Sequence, residues 1–174
     1  MKLKLYYLFL AVIAIGFTTG CSDDDDTPQG PPSNVPTAVV DAFKAKYPQV
    51  NASAVKWETK GSYYVADFRT APNTPEIESW FATDGTWKMA ETECGRDLFL
   101  IPTEINKGFN ESEYAMWTID DISYYEFPDT TKNFYLIEVE TTGKPDTALY
   151  FDTTGKLYKT TPADNLQITP DTAI

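Results

Sequence analysis

The chain has 174 residues, 14 of them basic and 26 acidic, a formal net charge of -12 and no histidine. Without histidine there is no Ser-His-Asp or Cys-His catalysis and no His-ligated metal site, and the acidity argues against nucleic acid, whose binding is driven by cations meeting phosphates. A hydrophobic content of 42% with 14% aromatics suits a folded globular domain rather than a disordered or fibrous chain.

The first segment reads as an address. Lys2 and Lys4 form a short basic start, Leu5 to Phe17 is apolar and uncharged, and small residues follow. That layout predicts a secretory signal over residues 1–20, too short for a convincing membrane span. Cys21, after Gly20, resembles the lipid-accepting cysteine of a bacterial lipobox, although Thr18 stands where such boxes usually carry Leu. The Asp23–Asp26 run that follows looks like the export signal that sends lipoproteins of some Gram-negative anaerobes to the outer face of the outer membrane. The resemblance implies a lipid-anchored, outer-membrane, cell-surface protein that touches the membrane only through its anchor. Residues 21–34 then form an acidic and Pro-rich linker, with TPQGPPSN as a semi-rigid spacer.

Residues 35–161 repeat themselves. Val35-Pro36-Thr37 recurs as Ile101-Pro102-Thr103, 66 positions on, and Val39 and Phe43 recur as Ile105 and Phe109. Tyr64-Val65-Ala66-Asp67-Phe68 recurs as Tyr135-Leu136-Ile137-Glu138-Val139, and Asp84-Gly85-Thr86-Trp87 as Thr154-Gly155-Lys156-Leu157. The pattern predicts a tandem duplication, copy one over residues 35–93 and copy two over residues 98–161.

Each copy opens with a helix. Pro36 and Pro102 suit a first helical position, where the missing N–H costs nothing. Val39, Phe43 and Tyr47 lie on one stripe, and Pro48 ends the helix. In copy two Ile105 and Phe109 form the stripe and Gly108 sits inside it, at a cost of about 1 kcal/mol relative to Ala. Four strand-like runs follow each helix: 55–59, 63–69, 77–82 and 87–92, then 122–127, 134–141, 147–152 and 157–160. Lys60-Gly61, Asp84-Gly85, Pro128-Asp129 and Thr154-Gly155 carry turn chemistry between them. Short connections force antiparallel meanders, so the predicted fold is α+β, a tandem repeat of helix plus four-stranded antiparallel meander. One unit of roughly 60 residues is marginal alone, and the two sheets are expected to join or pack into one body. The tail, residues 162–174, is rich in Pro and Thr and prone to fray, with Leu166 and Ile168 able to dock.

Catalysis finds little support. With Cys21 lipidated, Cys94 has no partner for an intrachain disulfide. It lies beside Glu91 and Glu93 and reads as an inert turn cysteine. Asp120-Asp121 and the pair Glu76 and Glu78 are the available carboxylate pairs, and they read as turn and helix-entry solvation rather than a cleft. No phosphate loop, nucleophile elbow or calcium-loop spacing is present. No metal and no cofactor is expected.

Several stretches carry a family likeness: the Pro36 helix with Phe43 and Tyr47-Pro48, Val55-Lys56-Trp57-Glu58, Gly61-Ser62-Tyr63-Tyr64-Val65-Ala66-Asp67-Phe68, and Trp80-Phe81-Ala82-Thr83-Asp84-Gly85-Thr86-Trp87. In these the chain resembles the PepSY-like, beta-lactamase-inhibitor-like (BLIP-like) family of secreted bacterial proteins. The resemblance implies a helix-plus-sheet tandem and a non-enzymatic role in binding a protein or peptide at the cell envelope, inhibitory in one branch. That branch inserts a loop carrying an acid and an aromatic. Here the loop Thr70–Pro75 has neither, and Thr142–Asp146 has an acid without an aromatic, so beta-lactamase inhibition itself is not expected.

Strand alternation sorts the side chains onto two faces. Tyr64, Ala66 and Phe68, with Tyr135, Ile137 and Val139, are assigned to the helix side. The opposite face receives Tyr63, Val65, Trp80 and Lys88, with Phe134, Leu136, Tyr150 and Tyr158. A face meeting only solvent should be polar, and this one is aromatic. It is either a contact surface or a second core. Tyr63, Val65, Trp80, Phe134, Tyr150 and Tyr158 are therefore the candidate binding face, for a protein or peptide or, alternatively, for a glycan stacked on flat rings.

Overall fold

The structure, a computed structural model, describes residues 34–164 and 166–172. The signal segment, Cys21 and most of the linker lie outside the described residues. Two helices and eight strands follow in chain order: α1 (Thr37–Lys46), β1 (Lys56–Lys60), β2 (Tyr63–Arg69), β3 (Glu76–Ala82), β4 (Trp87–Gly95), α2 (Thr103–Asn110), β5 (Thr118–Glu126), β6 (Phe134–Glu140), β7 (Thr147–Asp152) and β8 (Leu157–Pro162). The eight strands form one sheet in sequence order, every neighbour antiparallel, with β1 and β8 as its edges. The two four-stranded runs join where β4 pairs with β5.

Both prolines sit one position earlier than a first helical residue. Pro36 and Pro102 are extended at ψ 141° and 143° and cap the helices from outside. Their carbonyls accept from Val39 and Ile105, so the first turn still closes on them. Helix α1 stops at Lys46, and Tyr47 turns to φ -125°, because the ring of Pro48 clashes with a helical residue before it.

The helix face of the sheet carries two apolar clusters. Val39 and Phe43 of α1 pack on Ala66, Phe68 and Phe81. Ile105 and Phe109 of α2 pack on Ile122, Ile137, Val139, Leu149 and Phe151. The Phe43 ring lies edge-on to Phe68 at 5.1 Å. Each large apolar side chain buried this way contributes roughly 1.5–3 kcal/mol. One polar group is built into this face. Ser79, fully buried, accepts from the Trp87 Nε1–H at 3.1 Å and exchanges a hydrogen bond with the Tyr47 hydroxyl at 3.1 Å.

Gly85 and Gly155, at the tips of the β3–β4 and β7–β8 hairpins, hold φ of 86° and 85°. Each turn abuts a helix through backbone. A Cβ on Gly85 would lie 2.5 Å from the Ala38 carbonyl oxygen, and one on Gly155 would lie 2.1 Å from that of Glu104. Gly108 is equally constrained, since its Cβ would lie 1.9 Å from the Gly155 carbonyl oxygen. Its place inside α2 is thereby explained.

Candidate binding site on the face opposite the helices

The face opposite the helices is packed. Val65, Trp80, Met89, Tyr125, Phe127, Phe134, Leu136, Ala148 and Tyr150 form one buried cluster, and Leu166 and Ile168 of the tail pack onto it. Of the six residues assigned to the candidate binding face, Val65, Trp80, Phe134 and Tyr150 are buried, with Trp80 5% exposed. Tyr63 is half-buried, and Tyr158 is the exposed one at 42%. The second-core alternative thus describes four of the six.

Two positions assigned to this face are displaced by β-bulges. Register shifts fall between Trp80 and Phe81 against β4, and between Tyr150 and Phe151 against β8. Met89, not Lys88, is therefore the partner of Trp80, and Lys159, not Tyr158, is the partner of Tyr150. Each bulge inserts one extra residue and reverses the alternation beyond it. With Trp80, Phe134 and Tyr150 buried, these three rings do not form an exposed flat platform.

What this face does present is a cavity of about 670 Å³ beneath residues 166–171. Its wall includes Lys60 of β1 and Glu138 of β6, five strand steps apart in the sheet. The tail forms the roof. Tyr63 donates from its hydroxyl to Asp171 at 2.6 Å, and the Ala163 N–H donates to the Asp146 carbonyl.

The lining is acidic and aromatic. Glu78, Glu91, Asp121, Glu138 and Asp171 share it with one cation, Lys60, and with the rings of Tyr63, Trp80 and Tyr125. Glu78 stands directly opposite Glu91 across β3–β4, and Asp121 directly opposite Glu138 across β5–β6. Like charges directly opposed on neighbouring strands are destabilising. The Lys60 ammonium donates to both Glu78 oxygens at 2.7 Å and lies 5.4 Å from the centre of the Trp80 ring. Glu91 accepts from Ser123 Oγ at 2.9 Å and from the Tyr125 hydroxyl at 2.7 Å. Burial raises its pKa and these two donors oppose the rise. Burial, then the Glu91 charge, carries the Tyr125 phenol well above its ordinary range. Among the described residues, Trp80 Nε1 is buried without a hydrogen-bond partner.

Asp120-Asp121 is not a turn. Both lie in β5, where a bulge between Ile119 and Asp121 lets two consecutive acids occupy the strand. Asp120 pairs with Arg96 at 3.1 Å. Glu76 and Glu78 are likewise strand residues of β3. The alternation that assigned Trp80 and Leu136 to this face also assigns Glu78 and Glu138 to it, which is the signal by which the acids could have been found. Cys94 also lies in a strand, at the end of β4, and donates to the Thr92 carbonyl at 3.5 Å. Burial, then Asp121, pushes its thiol up to about 11, so it is a poor nucleophile. The loop Thr70–Pro75 closes on itself through Thr74, whose Oγ1 donates to the Ala71 carbonyl at 2.8 Å. No three of the acids converge as metal ligands would, among the described residues. No helix among them is long and apolar enough to cross a membrane.

A helix precedes each run of four strands in this single antiparallel sheet. A family model described as beta-lactamase-inhibitor-like, PepSY-like matches residues 27–70 and 62–159. The chain belongs to that family. Its PepSY-like fold is shared with a BLIP-like protein from Bacteroides fragilis, 36% identical, with a TM-score of 0.68 over 84% of this chain and 96% of that one. A DUF2874 family protein from Bacteroides ovatus is 27% identical, with a TM-score of 0.70 over 80% of this chain and 97% of the other. A second DUF2874 protein, from Bacteroides uniformis, is 25% identical with a TM-score of 0.66 over 76% and 92%. No curated protein matches the chain.

Proposed function

We propose that this PepSY-like protein is a non-catalytic recognition module that captures a protein or peptide at the cell envelope. The observation that carries the reading is the half-covered, acid-lined cavity on the face opposite the helices, where charge and aromatic surface are gathered. Burial of Trp80, Phe134 and Tyr150 moves the contact surface from those rings to the cavity mouth at Lys60 and Tyr63. The BLIP-like relative supports a protein partner over a sugar. We further propose that the chain is a doubled helix-and-four-strand unit, with copies at residues 35–93 and 98–161. The equivalent contacts of Gly85 with α1 and Gly155 with α2 support it.

The proposed setting is the outer membrane, with lipid on Cys21. Cys21→Ser should move the protein from the membrane fraction to the soluble one, and retention in the membrane would overturn the anchor. For the recognition reading, the protein would be immobilised through its N-terminus and exposed to secreted and envelope extract, beside Lys60→Ala/Tyr63→Ala. One partner held by the wild type and lost by the variant, at equal thermal midpoints, is the expected result. No retained protein would overturn it.

A further inference from the structure

Resting on the recognition reading, we infer that residues 166–172 are a displaceable strap lying in a peptide groove. In its place the groove takes an extended segment of the partner with two large apolar side chains two residues apart. The strap's own seating defines the chemistry of what replaces it.

Leu166 and Ile168 are half-buried against the aromatic cluster, while Gln167 between them is exposed. That alternation belongs to an extended segment, which sends successive side chains to opposite sides. Beneath the strap lies a row of rings. Tyr125 of β5 stacks on Phe134 of β6 at 4.8 Å, and Phe134 meets Tyr150 of β7 at 5.4 Å.

The groove is wider than the strap. The cavity of about 670 Å³ has Tyr125 and Leu136 in its wall. A second cavity, of about 260 Å³, has Phe134 and Tyr150 in its wall. Leu166, Gln167 and Ile168 line both cavities, so the strap divides one trough rather than filling it. The space on either side gives an incoming segment a footing before the strap leaves.

The strap is also lightly fastened. Among the described residues, the Ala163 N–H makes the tail's last backbone hydrogen bond to the sheet, at the Asp146 carbonyl. Beyond it, the Leu166 N–H donates to the Ala163 carbonyl and the Thr172 N–H to the Thr169 carbonyl, both within the tail. The exposed hydrogen bond from Tyr63 to Asp171 ties down the far end. A segment with few backbone bonds and half-buried contacts opens far more often than the sheet beneath it. Opening uncovers the rings, and an apolar strip bared to water favours a second segment that covers it.

The test uses the full chain, the full chain with Leu166→Ser/Ile168→Ser, and a capped fluorescent peptide of residues 166–172. The substitutions unfasten the strap and leave the rings beneath unchanged. The peptide should bind the unfastened chain. It should bind the wild type about tenfold or more weakly, because the strap competes from within the same chain. The same peptide with Ser at both apolar positions should bind neither. The partner drawn from the extract should be retained more by the unfastened chain than by the wild type. Asp171→Ala, which removes only the tie to Tyr63, serves if the double variant fails to fold, with the same direction expected. Equal binding of the peptide to wild type and variant, binding of the serine peptide, equal retention of the partner, or silence at about 1 mM peptide would overturn the inference. If the peptide is silent while the extract still yields a partner dependent on Lys60 and Tyr63, recognition stands and the strap falls. If both are silent, both fall.

Discussion

Single residues carry the clearest consequences. Ser79 is a lone buried hydroxyl serving two large side chains, Tyr47 and Trp87. Ser79→Ala leaves both without that partner inside an apolar cluster, and should cost about 1–3 kcal/mol in denaturant unfolding. An unchanged midpoint would mean that water or a shifted ring replaces the hydroxyl. Tyr150, 2% exposed, packs against Phe134 at 5.4 Å. Tyr150→Ala should therefore cost on the order of 3–5 kcal/mol. A surface ring would cost almost nothing, so this one measurement separates a core position from a contact position. Sequence alone left that choice open because alternation assigns a face without saying what covers the face. Here the cover is the tail after β8, whose only sequence signal is Leu166 and Ile168 in a stretch of Pro and Thr.

At the scale of elements, strand and helix positions followed from the pattern, and their phase did not always follow. Tyr63–Arg69 and Thr147–Asp152 are strands at the expected bounds, because period-two alternation and flanking turn residues agree there. Lys88 and Tyr158 miss direct register with Trp80 and Tyr150 for one shared cause, a bulge just after a hairpin, and no local residue preference announces it. Asp120-Asp121 reads as a turn on composition, yet Ile122 is buried and Ile119 packs beside it in the apolar cluster under α2, and packing overrides local preference. Gly108 carried only a penalty in the sequence reading. The approach of the β7–β8 turn reverses that judgement. Gly108→Ala gains about 1 kcal/mol of helix propensity but drives its Cβ into the Gly155 carbonyl. The net effect should be a lower thermal midpoint, and a raised one would show that the hairpin can retreat. Helix α1 is fixed at its other end by Lys46, whose ammonium lies 3.5 Å from the Trp87 ring centre and 3.5 Å from Glu126 of β5.

The whole molecule is acidic, and its buried carboxylates set its response to pH. Burial, with the neighbouring Glu76, raises Asp67 to about 6; burial also raises Glu91 and Glu93. Groups raised in the folded state bind more protons there than in the unfolded chain. Their contribution is therefore present at low pH and lost as pH rises through the folded value. Glu76 is lowered, first by its hydrogen bond with Asp67, and opposes this only below its ordinary range. The thermal midpoint should rise between about pH 7 and pH 5, and Asp67→Asn should flatten that rise. A midpoint that falls over the same interval would contradict it. Removing residues after 163 should lower stability and open the face beneath, read as binding of a hydrophobic dye to the shortened protein.

The sheet is open, and its two edge strands set how copies of the molecule meet one another. An unpaired strand offers its backbone to any neighbour, and identical copies displayed side by side offer it to one another. Strand β1 reads Lys-Trp-Glu-Thr-Lys, and β8 carries Lys159 and ends on Pro162. Closely spaced ammonium groups repel a second copy of the same edge, and a proline has no N–H to extend the ladder. The two edges thus resist the copy-to-copy strand pairing by which open sheets zip into fibrils.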